Sequence, residues 1–451
     1  MDHYGLISLL PTAFVVGLAI WSKKTFESLL GGCLLGFMIL SPREFFSTAT
    51  DTLLSVMQDP TIGWVTLVCG LFGSLIFLLT ASGGTKAFST MMLRLVKGRK
   101  SALIATWMLG LVIFIDDYLN ALTVGSTMRK LTDKYNVSRE MLAYVVDSTA
   151  APICVLIPLS TWAIFISGLL ENQGLAAVGQ GIELYFQIIP FILYAWIAVL
   201  VVPLVSIGWI PLMGSMKRSE RRAQSGELVP KGSQSIDILV KSQETQNPQI
   251  AHFILPMMAL IGATIFFDID ALKGILFTLF FTVIYYSVFR VNSLLESVEG
   301  IFKGFKSMIY ALAIVLISFV LKEVNDGLGL TDYIIEVVSP VLTKELLPAL
   351  AFVSLSLVAF ATGSFWGVYA ISFPIIIPLA QSLEVNLLLV IGSVISAGTF
   401  GSHACFYGDS TVLSASASGC NNMAHALTQL PYVLLSGLLS LIVFLILGYT
   451  V

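Results

Sequence analysis

The sequence has 451 residues, 57% of them hydrophobic and 11% charged, with a mean hydropathy of +0.91 and a formal net charge of −3. Soluble domains carry roughly a quarter charged residues, so an ordinary soluble protein is excluded, and no basic patch with interleaved aromatics supports a nucleic-acid binder. Apolar runs of about 16–20 residues recur, enough to cross a hydrocarbon core as helices, whereas a membrane barrel would alternate in segments of about ten.

In chain order, residues 6–21 and 25–40 are predicted spans, separated by Lys23 and Lys24. Residues 62–81 form a third, with Gly70, Gly73 and Ser74 suited to close helix packing. Residues 85–96 mix Lys86 and Arg94 with Phe88, Met91, Met92 and Leu95, the pattern of an interfacial amphipathic helix. Lys97, Arg99 and Lys100 precede residues 101–128, and Arg129, Lys130, Lys134 and Arg139 follow; both flanks favour the cytoplasm. The segment between is therefore predicted to enter the membrane and return as a hairpin, with Asp116–Asn120 at its tip. The four basic residues after it read as orientation charges at the lipid surface.

Residues 141–170 are too long for one span and are interrupted at 148–152, which predicts a broken helix whose freed backbone groups face ions. Residues 183–207 return as one span to a polar segment, 215–250, with six basic and four acidic residues. It is expected to be a mobile cytoplasmic linker.

After the linker the pattern restarts. A shift of 246 residues, the distance from Thr85 to Thr331, lays 6–21 on 252–267 and 25–40 on 271–286. The same shift lays the tip Asp116-Asp117 on Thr362-Gly363 and the break 147–152 on 393–398. Each half then has an odd number of crossings plus a hairpin, so the second half is predicted to be inverted. The expected fold is an all-α polytopic membrane protein of two inverted-topology repeats, 1–214 and 251–451, joined by the linker. Each repeat has about five transmembrane helices, one of them broken, plus a re-entrant helical hairpin, the signature of a secondary transporter. The charges place the chain as multi-pass in the inner (plasma) membrane, with the N-terminus outside and the 215–250 linker in the cytoplasm.

Ionisable residues at membrane depth are costly and mark functional sites. The first half offers Asp116, Asp117, Asn120, Asp147, Ser148, Thr149 and Thr161 as oxygen donors for a hard cation such as sodium. Adjacent carboxylates on a helix face different ways, so one of Asp116 and Asp117 is expected to line the site while the other braces the hairpin. Carboxylates crowded in a low dielectric repel, which lets one of them exchange a proton. In the second half, Thr362, Gly363 and Ser364 form the matching tip, and the glycine-rich run 397–411, read as the second break, carries His403, Asp409, Ser410 and Thr411. Asp117, Asp147, Ser148 and Asp409 are the expected sodium ligands, and His403 is placed to carry protons near neutral pH. Trp162, Phe365, Trp366 and Tyr407 are candidate cavity walls, and the five cysteines lack metal-ligand spacing and read as packing residues.

Several of these runs together resemble the NhaC family of sodium/proton antiporters. They are Phe114-Ile-Asp-Asp-Tyr, the 127–134 run Thr-Met-Arg-Lys-Leu-Thr-Asp-Lys, Ser138-Arg-Glu, Asp147-Ser-Thr-Ala-Ala-Pro, Phe400-Gly-Ser-His, Asp409-Ser-Thr and Gln429-Leu-Pro-Tyr. The resemblance spans both halves and implies the ion-transporter superfamily fold, in which paired hairpins and broken helices form the site, and a homodimer. Members of that family commonly carry an aspartate immediately before the histidine; Ser402 stands there in this sequence. That substitution moves weight toward a substrate bringing its own charge. The expected function is sodium/proton antiport by alternating access, transporting Na+ and H+ with no cofactor, its partners being the lipid bilayer and small cations. The alternative is a sodium- or proton-coupled symporter or exchanger of a small amino acid or carboxylate. A channel would show a polar face along a whole span. An enzyme would have only Cys405 and His403 to work with.

Overall fold

The computed structural model describes residues 3–22, 24–114, 116–158, 160–177, 180–233, 249–268, 270–338, 343–363 and 365–450. Among them every regular element is a helix, the form that satisfies its own backbone hydrogen bonds in lipid. Among the described residues Ile62–Ala81, Ala271–Val288, Leu387–Ala404 and Asn422–Thr450 are long and apolar enough to cross a bilayer, and counting each of three bent helix pairs as one span gives up to 7. The chain is a multi-pass membrane protein.

Much of the interior is built from shorter helices broken at depth. Those reaching the polar centre are labelled in chain order: α1 (Arg99–Val112), α2 (Asp117–Lys134), α3 (Arg139–Asp147), α4 (Ala151–Cys154), α5 (Thr161–Asn172), α6 (Leu193–Ile207) and α7 (Gly214–Gln224). After residue 250 come α8 (Leu347–Thr362), α9 (Phe365–Ser382), α10 (Leu387–Ala404), α11 (Asp409–Ser418) and α12 (Asn422–Thr450).

The α1–α2 pair is a hairpin. The Tyr135 hydroxyl, just past the end of α2, donates to the Val96 carbonyl, just before α1, at 2.5 Å. α1 ends at Val112 and α2 starts at Asp117, so Asp117 to Asn120 already form the first turn of α2. The α8–α9 pair likewise folds back, since Leu347 at the start of α8 and Ala380 near the end of α9 share one apolar cluster. Gly363 makes that turn with φ +68, and a β-carbon there would meet the Tyr407 ring at 2.9 Å. An alanine would be both strained and obstructed.

Three expectations about the chain path are corrected. The break that the 246-residue shift lays on 393–398 is absent, because α10 runs through it; the chain breaks at Cys405–Gly408, inside the glycine-rich run 397–411 read as the second break. Gly398 and Gly401 do not end the helix but let it approach Tyr369 and Ala359. The single span at 183–207 is a bent pair, Gly181–Phe191 and Leu193–Ile207 at 56°, with Pro190 in its short 3-10 turn. The polar segment after α6 begins as an ordered helix, α7, with Met216, Ser219, Glu220 and Ala223 buried; residues 234–248 lie outside the described part.

Helix order in the two halves runs in parallel: Leu10–Ser22 and Ala251–Phe266 open them, Thr25–Leu40 and Ala271–Val288 follow, and α1–α2–α3 correspond to α8–α9–α10. Two large apolar clusters form the core. One holds Ile113, Leu119, Val146 and Ala150 with Cys405, Phe406 and Val412; the other holds Ala151, Cys154 and Trp162 with Phe365 and Ala404. The chain therefore passes between clusters at Ala150–Ala151 and at Ala404–Cys405, the positions of the two helix breaks. Freed backbone groups and buried polar side chains collect on that seam.

Candidate functional site

Asp116, in extended backbone, is the N-cap of α2. Its Oδ1 accepts from the amides of Tyr118 and Leu119, both at 3.0 Å, and its Oδ2 from the Thr161 hydroxyl at 3.1 Å. Both oxygens brace the hairpin and tie it to α5, the usual service of an aspartate cap. Asp117 differs. Its Oδ1 accepts from the Trp162 indole at 3.0 Å, and its Oδ2 is buried without a hydrogen-bond partner. Trp162 in turn stacks on Phe365 of α9 with centroids 3.9 Å apart.

Asn120 lies one turn further on the same face of α2. Its amide nitrogen donates to the carbonyls of Gly110, Ile113 and Thr149 at 2.7 to 2.8 Å. This side chain sews the hairpin break to the break after α3 and satisfies carbonyls that the end of α1 leaves open. Its Oδ1 is a second buried oxygen without a partner.

Across the seam, Asp409 opens α11. Its Oδ2 accepts from the Tyr118 hydroxyl at 2.5 Å and its Oδ1 from the Ser410 amide at 2.8 Å. Asp147, the last residue of α3, is fully buried and fully engaged. Its Oδ1 accepts from the hydroxyls of Ser410 and Ser414 at 2.6 and 3.5 Å, and its Oδ2 from Gln429 at 2.8 Å and His425 at 3.1 Å. His403 bonds Ser148 through Nε2 at 3.2 Å and Tyr194 through Nδ1 at 2.8 Å. Gln429 reaches the His403 carbonyl as well, at 2.8 Å, so the two histidines belong to one network.

This geometry sorts the expected site residues. Asp116, Asp117, Asn120, Asp147, Ser148, Thr161, His403, Asp409 and Ser410 meet at the seam. Thr149, Thr362 and Thr411 bond backbone carbonyls, of Val145, Val358 and Ser402 respectively, so their hydroxyl protons are already committed. Ser364 lies outside the described residues. Of the expected sodium ligands, Asp147 is held by four donors, and among the described residues no three His, Cys, Asp or Glu side chains converge as a metal site. In the sequence, Gln429 stands out only as part of a family signature, and His425 is not singled out. Their spacing of four on an apolar helix, which places both on one face, was the available signal.

The family profile of Na+/H+ antiporters matches residues 163–449 of this chain. The chain belongs to the Na+/H+ antiporter family. A protein of Haemophilus influenzae described as uncharacterized is 31% identical over 484 residues, covering 98% of this chain and 91% of its own length. The matched region of this family member holds His403, Asp409, His425 and Gln429, while Asp116, Asp117 and Asp147 precede it.

Two arginines of this family member correct the reading of surface charge. Arg129 and Arg139 are buried. Arg129 donates to the carbonyls of Ser416 and Ala417 at 3.2 and 2.7 Å, and Arg139 to that of Ser418 at 2.9 Å and to both Asp133 oxygens at 2.7 to 2.8 Å. They clasp the C-terminal carbonyls of α11, where the helix dipole is negative, while Asp409 sits at the opposite end. Gly419 closes α11 with φ +72, and a β-carbon there would lie 2.5 Å from the Arg139 guanidinium. Gly419→Ala is expected to cost about 1–3 kcal/mol, read as a lower melting midpoint in detergent; an unchanged midpoint would refute the clasp.

A cavity of about 1450 Å³ opens beside α7, with Asn422 and Thr428 of α12 in its wall. His425 lies between those two residues on the helix, and its Nδ1 is buried without a partner.

Proposed function

We propose that this chain is a secondary transporter of NhaC type, exchanging sodium for protons by alternating access. The observation that carries the reading is the buried, partnerless Oδ2 of Asp117. An ionised carboxylate taken out of water without compensation costs several kcal/mol, so this group needs either a proton or a cation. Asp116 is its chain neighbour and Asp409 is bonded to Tyr118, the next residue of α2, so three carboxylates crowd one buried seam, where their joint ionisation is unfavourable. Proton and sodium thus compete for one charge, and competition for one charge is exchange. Asn120 Oδ1, on the same helix face, is the second oxygen offered to a hard cation, and carbonyls at the break can complete its shell.

The seam supports the motion. Helix breaks mark where the two apolar clusters meet, so relative movement of two packed bodies would open the polar centre to one side and then the other, with the second repeat inverted relative to the first. In this reading the cavity beside α7 is the cytoplasmic vestibule in the plasma membrane.

A second reading, coupled carriage of a small carboxylate, is favoured by one feature. The vestibule wall carries six basic side chains, among them Arg218, Lys231 and Lys306, against two acidic ones, Glu27 and Glu140. Such a field draws anions rather than sodium.

One experiment separates them: purified protein in liposomes with a trapped pH dye and an imposed pH gradient. Dissipation on adding sodium alone is expected for the antiporter. Silence with sodium alone, together with sodium-dependent uptake of a labelled carboxylate, would replace it with the second reading.

A further inference from the structure

Helix α7 lies outside the exchange site, yet it binds two of the three helices that build the Asp147 network, α3 and α12. Its Glu220 is fully buried. Oε1 accepts from the Ser138 amide at 3.1 Å and the Ser138 hydroxyl at 2.8 Å, and Oε2 pairs with the Arg99 guanidinium. Ser138 is the N-cap of α3, its hydroxyl accepting from the Met141 amide at 3.1 Å. Glu140, buried in the first turn of α3, accepts from the Ser219 hydroxyl and the Arg222 guanidinium of α7, each at 2.8 Å. The start of α3 is thus locked to α7, and about two turns later the same helix ends in Asp147.

On the other side, the Ser215 hydroxyl donates to the Leu427 carbonyl at 2.8 Å, and the Met213 amide donates to the Tyr432 hydroxyl at 2.9 Å. Leu427 falls between His425 and Gln429, the two α12 residues that hold Asp147. A single short helix therefore fixes α3 against α12 where their side chains meet.

We propose that α7 is a strap that sets the spacing of α3 and α12, with Glu140 and Glu220 as positioning residues for the Asp147–His425–Gln429 network. A carboxylate held by four donors tolerates little change in helix separation. Loosening the strap frees Asp147, and through Ser410 disturbs the start of α11, where Asp409 lies. The transport consequence rests on the antiport reading; the structural one does not.

The test uses Glu220→Gln and Glu140→Gln in the full chain. Amide hydrogen exchange is followed in detergent over 144–150 and 422–432, a readout independent of transport. Exchange about ten-fold faster than in the parent is expected, the change that a coupling of about 1.4 kcal/mol produces. In liposomes, half-saturation by sodium rises several-fold with the maximal rate kept. The charge swap Glu140→Arg with Arg222→Glu restores both. Unchanged exchange in folded variants, or a swap that restores neither readout, overturns the strap. Where Glu220→Gln does not fold, Ser215→Ala and Ser219→Ala carry the same test. Faster exchange in the variants of a parent that shows no sodium/proton exchange would support the strap while sinking the antiport reading.

Discussion

Asp117→Asn is expected to abolish sodium-driven proton movement, by about 100-fold or more, while leaving the protein at least as stable as the parent. The substitution keeps what the fold needs at this position. The asparagine carbonyl still accepts from the Trp162 indole, and Trp162 keeps its stack on Phe365. What disappears is the charge on the partnerless oxygen. A neutral amide carries no charge for a cation to balance and no proton to give up, so both halves of the exchange fail together. Relief of an uncompensated buried charge offsets whatever the mismatch costs. The measurements are dye-detected exchange in liposomes and the melting midpoint of the same preparation in detergent. A lower midpoint with exchange intact would show that Asp117 is structural.

Asp116→Ala should behave in the opposite way. Its oxygens cap α2 and hold Thr161, and loss of a cap costs about 1 kcal/mol. Which aspartate has which task was not legible in the sequence, because two adjacent carboxylates look alike until the helix start is known. The start falls between them, at Asp117.

The same limit governs the rest of the comparison. The first hairpin and the break after Asp147 could be read locally, from basic residues on both flanks of 101–128 and from the interruption at 148–152 in a run too long for one span. The second break was legible only as the glycine-rich run 397–411, not at its exact place within it. Cys405-Phe406-Tyr407-Gly408 contains no proline, and a shifted copy of the first half pointed to a segment that packs as unbroken helix. Arg129 and Arg139 look like lipid-surface charges by position. Their partners, the carbonyls of residues 416–418, lie far along the chain. Helix α7 was hidden for a similar reason: a polar sequence folds against the bundle only because Glu140, Ser138 and Arg99 await it. Local pattern reveals where polarity sits at depth. It does not reveal which long-range partner satisfies it, and at this site the partners decide the chemistry.

Asp147 tests that distinction most sharply. All of its hydrogen-bonding capacity faces donors: Ser410 and Ser414 on one oxygen, His425 and Gln429 on the other. His425→Ala removes one donor from a fully buried carboxylate and is expected to destabilise the protein by about 3 kcal/mol. Asp147→Asn removes the charge but turns an amide N–H toward one of those donors, at a cost of about 1–3 kcal/mol. The two changes share one contact, so the double variant should fall short of their sum by about 0.5–3 kcal/mol. Sodium provides the discriminating axis. A ligand that binds the folded state raises its stability in proportion to the logarithm of its concentration, so sodium is expected to raise the parent's melting midpoint. That shift should vanish in Asp117→Asn and persist, from a lower baseline, in Asp147→Asn. Loss of the sodium shift in Asp147→Asn with the baseline unchanged would make Asp147 a direct ligand. The four donors around it would then have to release it before the ion can bind.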